Sequence, residues 1–117
     1  MAEKADERFS RSDRIVHGAE YRSIYGSGTK LHSERFVLFS RENGLSHHRL
    51  GITVSRKIGG SVVRNRIKRL FREVFRKSKA EIPYHLDLVL NAKRGCAEAG
   101  YNDLREEFLR AVRKIRR

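Results

Sequence analysis

The sequence has little of several residue types, and each shortage excludes a class of protein. Its 117 residues include one cysteine, Cys96, one proline and no tryptophan. A single cysteine excludes an internal disulfide and a cysteine-based zinc ribbon, and we expect Cys96 to be an inert side chain. No run approaches the roughly 18 apolar residues of a membrane span. Residues 1–13 mix charges of both signs without an apolar stretch, which is unlike a secretory signal and predicts a cytoplasmic protein without a membrane partner.

Acidic residues are also scarce relative to basic ones. Lys and Arg number 27 against 14 Asp and Glu, a net charge of +13. A polyanion relieves such an excess, because phosphates neutralised by Lys and Arg release condensed counterions. The composition therefore favours a nucleic acid as partner. The scattered carboxylates argue against a nuclease that holds its own Mg²⁺, and we interpret His47 and His48 as surface histidines.

Hydrophobic periodicity predicts a single domain over residues 1–117, with a loose tail over 1–12. The predicted elements are a helix at 17–26, strands at 35–42 and 49–55, a long helix at 62–77, a strand at 87–92 and a last helix at 102–116. A short extra strand fits 29–32. The Asn43-Gly44 turn predicts that the strands at 35–42 and 49–55 form an antiparallel hairpin. The fold class is α+β, a small α/β sandwich of order α-β-β-(β)-α-β-α with helices packed on a mixed sheet.

Most of the positive charge lies in and beside the long helix. Residues 56–79 hold ten Lys and Arg and one acid, Glu73, so they carry +9 of the chain's +13. At about 100° per residue, Val63, Ile67 and Phe71 share one side of the helix. The other side is a continuous face of cations and one amide, formed by Arg64, Asn65, Lys68, Arg69, Arg72 and Arg76. Like charges four residues apart cost this helix about 1 kcal/mol unless a polyanion lies against it. The face therefore predicts phosphate binding.

Two further features allow more than one interpretation. Tyr21 and Tyr25 lie four residues apart on the first helix, so their rings share a face on which bases could stack at about 1–3 kcal/mol each. The spacing alone fits a plain core equally well, and Phe39 is as ambiguous. The C-terminal run of five cations fits a second RNA contact or a solvated helix end; it comprises Arg110, Arg113, Lys114, Arg116 and Arg117.

The stretch from Ser55 to Glu73, SRKIGGSVVRNRIKRLFRE, closely resembles the signature of the bacterial ribonuclease P protein family. Its core is Arg64-Asn65-Arg66, and the similarity extends over most of the chain. The resemblance implies an α/β sandwich with a left-handed crossover. It also implies a small protein subunit of an RNA enzyme that removes the 5′ leader of precursor tRNA by hydrolysis. Catalysis and the Mg²⁺ ions then belong mainly to the RNA, with one protein per RNA and no catalytic or metal-binding residue in the protein.

The resemblance also implies two sets of contact residues. Those expected on the catalytic RNA are Arg64, Asn65, Arg66, Lys68, Arg69 and Arg72. Those expected to hold the single-stranded leader are Tyr21, Tyr25, Phe39, Ser55, Arg56, Lys57, Lys93 and Arg94. The family usually has Phe at the positions of Tyr21 and Tyr25, and a Tyr keeps the stacking face. The alternatives are a structural RNA-binding protein without a part in cleavage, and a sequence-specific DNA binder, which the phosphate-type cations do not favour.

Overall fold

The computed structural model describes residues 11–115. The helices and strands, in chain order, are α1 (Gly18–Ser27), β1 (Thr29–His32), β2 (Phe36–Glu42), β3 (Arg49–Thr53), α2 (Ser61–Ser78), β4 (Leu86–Ala92) and α3 (Tyr101–Arg113). Short 3₁₀ helices form at Arg11–Asp13, Lys79–Glu81 and Arg94–Glu98, and the last is called the 94–98 turn below. Every predicted element is present, including the short strand that became β1. The predicted tail lies mostly outside the described residues.

The four strands form one mixed sheet in the order β1-β2-β4-β3. β2 pairs antiparallel with both β1 and β4, whereas β3 pairs parallel with β4. The predicted hairpin between β2 and β3 is therefore wrong, because β4 lies between them. Leu88, Val89 and Leu90 in β4 are all fully buried. A strand that is apolar on both faces is buried on both, which places β4 in the centre of the sheet. The hand of the β3–α2–β4 crossover stays a prediction of the resemblance.

α2 and α3 cover one face of the sheet and form the main core. The side of α2 that carries Ile67, Phe71 and Val74 is buried there, as the helical periodicity predicted. The Phe71 ring meets Phe36 of β2 edge to face, with 5.6 Å between centroids. Full burial of one such side chain contributes about 1.5–3 kcal/mol. This packing fixes which side of α2 remains at the surface.

α1 covers part of the opposite face of the sheet. Side chains alternate along β2, so Phe39 faces α1 while Leu38 faces α2. Phe39 joins Ile15, Ile24 and Val89 in a second, smaller apolar cluster. Because this cluster is small, α1 depends on further contacts to hold its place on the sheet.

Candidate nucleic-acid interface

The cationic side of α2 lies at the surface, as predicted. Asn65 and Arg69 are exposed, and Arg64, Lys68 and Arg72 are partly exposed beside them. Arg76, the last cation of this row, pairs with Glu73 at 2.9 Å. The other cations of the face have no carboxylate partner within residues 11–115, so the face keeps its positive charge.

The lowered pKa of Arg72 shows that the clustering of cations on α2 has an electrostatic cost. Burial, followed by the nearby charges of Arg14 and Arg69, lowers the pKa of the Arg72 guanidinium below its usual value. The cation is therefore less well solvated than a free arginine and is surrounded by like charge. A phosphate at this position would relieve both penalties, because it supplies the missing opposite charge and accepts hydrogen bonds from the guanidinium fork.

Arg66 lies apart from this face, as its position on the helix predicted. Its guanidinium donates hydrogen bonds to the carbonyl oxygens of Ala97 at 3.2 Å and Ala99 at 2.9 Å. Ala97 lies in the last part of the 94–98 turn and Ala99 directly follows it, where backbone oxygens lack partners within the turn. Arg66 thus links α2 to the segment that carries Arg94. Its expected contact with the catalytic RNA stays a prediction.

The three predicted aromatic residues form one cluster on the α1 side of the sheet. The rings of Tyr21 and Tyr25 lie 6.4 Å apart, and Tyr25 meets Phe39 edge to face at 4.7 Å. The Tyr25 hydroxyl donates a hydrogen bond to Asn91 Oδ1 at 3.1 Å. Exposure differs within the cluster, since Tyr25 is 37 % exposed and Phe39 only 9 %. Tyr25 can therefore present a stacking face, whereas Phe39 supports it from below.

Tyr21 is held in place by a glycine that the sequence did not single out. A Cβ atom built on Gly51 of β3 would lie 2.6 Å from the Tyr21 hydroxyl oxygen, so the ring rests where only a glycine leaves space. The hydroxyl donates a hydrogen bond to the Ile15 carbonyl at 3.2 Å. Burial and the neighbouring Tyr25 raise the pKa of Tyr21 above its ordinary value of 10.0, so the phenol stays neutral at physiological pH.

One cavity joins the aromatic cluster to the cationic helix. It has a volume of about 190 Å³ and lies between the segment before α1, strand β3 and α2. Tyr21 and Gly51 line one side, and Lys68 and Arg72 of α2 line the other. Arg14 adds a third cation to its wall. Two of the residues predicted for the catalytic RNA therefore border the same cavity as a residue predicted for the leader.

A partly buried ionic network, which sequence reasoning missed, ties α1 to the sheet. Arg49 of β3 donates two hydrogen bonds of 2.8 Å to Asp87 of β4 and a third, of 2.7 Å, to Glu20 of α1. Burial by itself would raise the pKa of Asp87, but hydrogen bonds from Arg49 and Asn43 outweigh it and hold that pKa below the usual value. Asp87, the one acid in a mainly apolar strand, is the signal that could have revealed this network. It fixes the helix that carries the aromatic rings.

The remaining predicted leader residues lie at one end of the sheet. Thr53, the last residue of β3, pairs with Asn91 near the end of β4, so the segments that follow the two strands are neighbours. Those segments carry the exposed residues Ser55, Arg56 and Lys57 after β3, and the partly buried Lys93 and exposed Arg94 after β4. The Lys93 ammonium donates a hydrogen bond to the Ser33 carbonyl at 2.6 Å, whereas Arg94 is exposed.

The histidines and the cysteine do not form a reactive centre. His48 is half-buried rather than a surface histidine, because its Nδ1 accepts a hydrogen bond from the Leu86 amide and its ring meets His85 at 5.3 Å. Cys96 is buried, and burial raises the pKa of its thiol to about 11, which confirms an unreactive side chain. Between residues 11 and 115 no three His, Cys, Asp or Glu side chains are grouped to hold a metal ion.

None of the helices between residues 11 and 115 is both long and apolar enough to cross a bilayer.

An α/β domain in which a cationic helix face and an aromatic cluster border one cavity belongs to the class of proteins suited to bind nucleic acid. Residues 9–116 match the family model described as Ribonuclease P. The ribonuclease P protein component of Thermotoga maritima is 35 % identical over 93 % of this chain and 97 % of its own length. That of Alkaliphilus metalliredigens is 30 % identical over 90 % and 95 %.

Solved structures agree with the sequence comparison. The ribonuclease P protein from Thermotoga maritima superposes with a TM-score of 0.82 at 32 % identity, covering 89 % of this chain and 98 % of its own. The Staphylococcus aureus protein gives a TM-score of 0.78 at 30 % identity, covering 88 % and 96 %. The chain belongs to the ribonuclease P protein family. Membership implies a part in tRNA processing and an RNA partner within a ribonucleoprotein, and the predicted fold class is confirmed.

Proposed function

We propose that this chain is a subunit that binds both the catalytic RNA of ribonuclease P and the 5′ leader of precursor tRNA. The cationic face of α2 binds the catalytic RNA through Arg64, Asn65, Lys68, Arg69 and Arg72. The aromatic cluster, with the basic residues at the nearby end of the sheet, holds the leader. The observation that carries this proposal is the cavity shared by Tyr21, Lys68 and Arg72. It supports the proposal because a residue proposed for the leader borders the same cavity as two residues proposed for the catalytic RNA.

The physical role of the protein follows from charge and stacking. Two polyanions that meet repel each other, and a cationic surface between them reduces that repulsion. Stacking on Tyr25 contributes about 1–3 kcal/mol per base without sequence preference, which suits leaders of varied sequence. We place hydrolysis and its Mg²⁺ ions on the RNA, with one protein per RNA, in the cytoplasm. The protein then raises affinity for precursor over mature tRNA and lowers the Mg²⁺ concentration that cleavage needs.

The test is cleavage of precursor tRNA by a bacterial ribonuclease P RNA at low Mg²⁺, with and without this protein. Cleavage at the mature 5′ end only with protein present is the expected result. Binding to the RNA without any gain in cleavage would contradict the proposal and favour a structural RNA-binding protein. The same assay with Mg²⁺ titrated shows whether the protein shifts the requirement.

Variants separate the two surfaces. Arg72→Ala is expected to weaken assembly with the catalytic RNA and to reduce the dependence of affinity on salt, because one phosphate contact is lost. Tyr25→Ala is expected to lower the preference for precursor over mature tRNA while leaving assembly unchanged. Arg105→Ala, an exposed arginine on α3, is the control for loss of charge alone. Equal losses for Arg72→Ala and Arg105→Ala would contradict the assignment of the α2 face.

A further inference from the structure

The aromatic cluster continues beyond Phe39 onto the edge strand β1. Lys30 of β1 pairs in register with Phe39 of β2, so the two side chains lie on the same face of the sheet. The Lys30 ammonium lies 5.7 Å from the centre of the Phe39 ring, a cation–π distance. Lys30 is exposed, whereas Phe39 is nearly buried between it and Tyr25. A ligand that passes Tyr25 therefore meets a cation next.

His32 extends the same surface along β1. It pairs in register with Val37, which places it on the face that carries Lys30, two residues away along the strand. His32 is exposed, and β1 itself, with the sequence Thr-Lys-Leu-His, contains no acid. The strand thus presents a lysine and an imidazole, both able to donate hydrogen bonds to phosphate oxygens.

We infer that Lys30 and His32 form a distal subsite for the phosphate backbone of a single-stranded RNA, at the edge of the sheet opposite β3. The inference rests on the proposed function, because the strand in question is the leader. β1 lies three strand spacings from β3, about 14 Å. The cationic helix and Tyr21 lie at the β3 side, where the catalytic RNA is proposed to bind. The leader nucleotides nearest the cleavage site therefore occupy the Tyr21 side, and only nucleotides farther along the leader reach β1.

The first test compares holoenzymes assembled with wild-type protein and with Lys30→Ala. Affinity is measured for precursor tRNA with a long leader, for precursor with a single leader nucleotide, and for mature tRNA. Lys30→Ala is expected to reduce affinity for the long leader about two- to fivefold, the size of one exposed ionic contact. The salt slope for that substrate should fall by about 0.7, the value for one phosphate of a single strand. The other two substrates should bind as they do to wild type.

The matched control is Lys77→Ala. Lys77 is also an exposed lysine over an aromatic ring, 5.6 Å from the centre of Tyr101, but it lies on α2 outside the aromatic cluster. It should leave the dependence on leader length unchanged. If wild-type protein shows no preference for a leader at all, the proposed function fails. If that preference is present and Lys30→Ala weakens all three substrates equally, or none, the distal subsite alone is overturned.

Cross-linking gives a second, independent readout. The chain's one native cysteine is buried with a raised thiol pKa, so a cysteine introduced at the surface can be labelled selectively. Lys30→Cys carrying a photoreactive group should cross-link to leader nucleotides farther from the cleavage site than those reached from Tyr25→Cys. Cross-links from Tyr25→Cys but none to the leader from Lys30→Cys would overturn the inference.

Discussion

Replacement of Gly51 by alanine should displace Tyr21 from its seat on the sheet. The added Cβ would lie 2.6 Å from the Tyr21 hydroxyl oxygen and 2.7 Å from ring carbon Cζ, closer than real Cβ contacts come. β3 is held by its pairing with β4, in which Gly51 lies opposite Val89, so the ring is the part that moves. Its movement breaks the hydrogen bond to the Ile15 carbonyl.

The expected magnitude follows from these contacts. Overpacking of this kind costs about 1–3 kcal/mol of folding free energy. The lost hydrogen bond accounts for roughly 1 kcal/mol of that cost. If Tyr21 stacks on a leader base, its displacement also removes about 1–3 kcal/mol of leader binding, a fivefold to more than hundredfold loss. Urea unfolding measures the first quantity, and holoenzyme affinity for precursor against mature tRNA measures the second.

A double-mutant cycle tests the stated cause. In a Tyr21→Ala background no ring remains to collide, so Gly51→Ala should cost little or nothing further in either assay. Gly26→Ala is the control, because no atom lies within 4 Å of a Cβ added there, and it should stabilise α1 by about 0.5–1 kcal/mol. Equal costs of Gly51→Ala in both backgrounds would refute the reasoning.

Three further predictions concern other parts of the fold. Arg66→Ala should weaken assembly with the RNA without changing the salt dependence of that affinity, because Arg66 bonds to two backbone carbonyls. Arg64→Ala should lower the slope of this salt dependence by about 1. Equal slopes for the two variants would place Arg66 on a phosphate. Burial and the neighbouring His85 lower the pKa of His48 from 6.5 to about 4, so the folded protein favours the neutral ring. The free energy of unfolding should therefore fall as the pH drops from 6.5 toward 4. His48→Asn, which keeps an acceptor, should flatten that urea-unfolding profile, and an unchanged profile would contradict the assignment. Tyr84 has a φ of 62°, a left-handed backbone conformation that costs about 1–2 kcal/mol. Tyr84→Gly should therefore raise the melting temperature. A lower melting temperature would show that contacts of the tyrosine ring outweigh the backbone strain.

The helices were predictable because their periodicity is long and regular. α2 repeats its apolar residues over 18 positions, which fixed both its buried side and its cationic face. The separation of β2 from β3 by β4 was not predictable from the turn between them, since a turn signal reports only local geometry. The correct order depends on β4, a strand far along the chain whose residues are buried on both faces.

The residues of the candidate site also include some that the sequence predicted and some that it could not. Tyr21 and Tyr25 were found because four-residue spacing places them on one helix face, and the sheet then brings Phe39 to Tyr25. The near-complete burial of Phe39 could not be inferred, because it depends on Tyr25 and Lys30 lying across its ring. Gly51 gave no sequence signal at all, since the absence of a side chain matters only once another residue occupies the space.

The few acids of this chain account for the position of its many cations. Among the described residues, Asp87 pairs with Arg49, Glu107 with Arg35 and Asp13 with Lys79, and all three acids are buried. Asp87 joins β4 to β3, Glu107 joins α3 to the residue before β2, and Asp13 joins the N-terminal segment to the 3₁₀ helix after α2. Acids used in this way cannot neutralise the cationic face of α2. The positive charge that destabilises the free protein is therefore concentrated on the face of α2, where a polyanion can bind. Removal of an internal ion pair should loosen the binding site rather than change the net charge that an RNA meets.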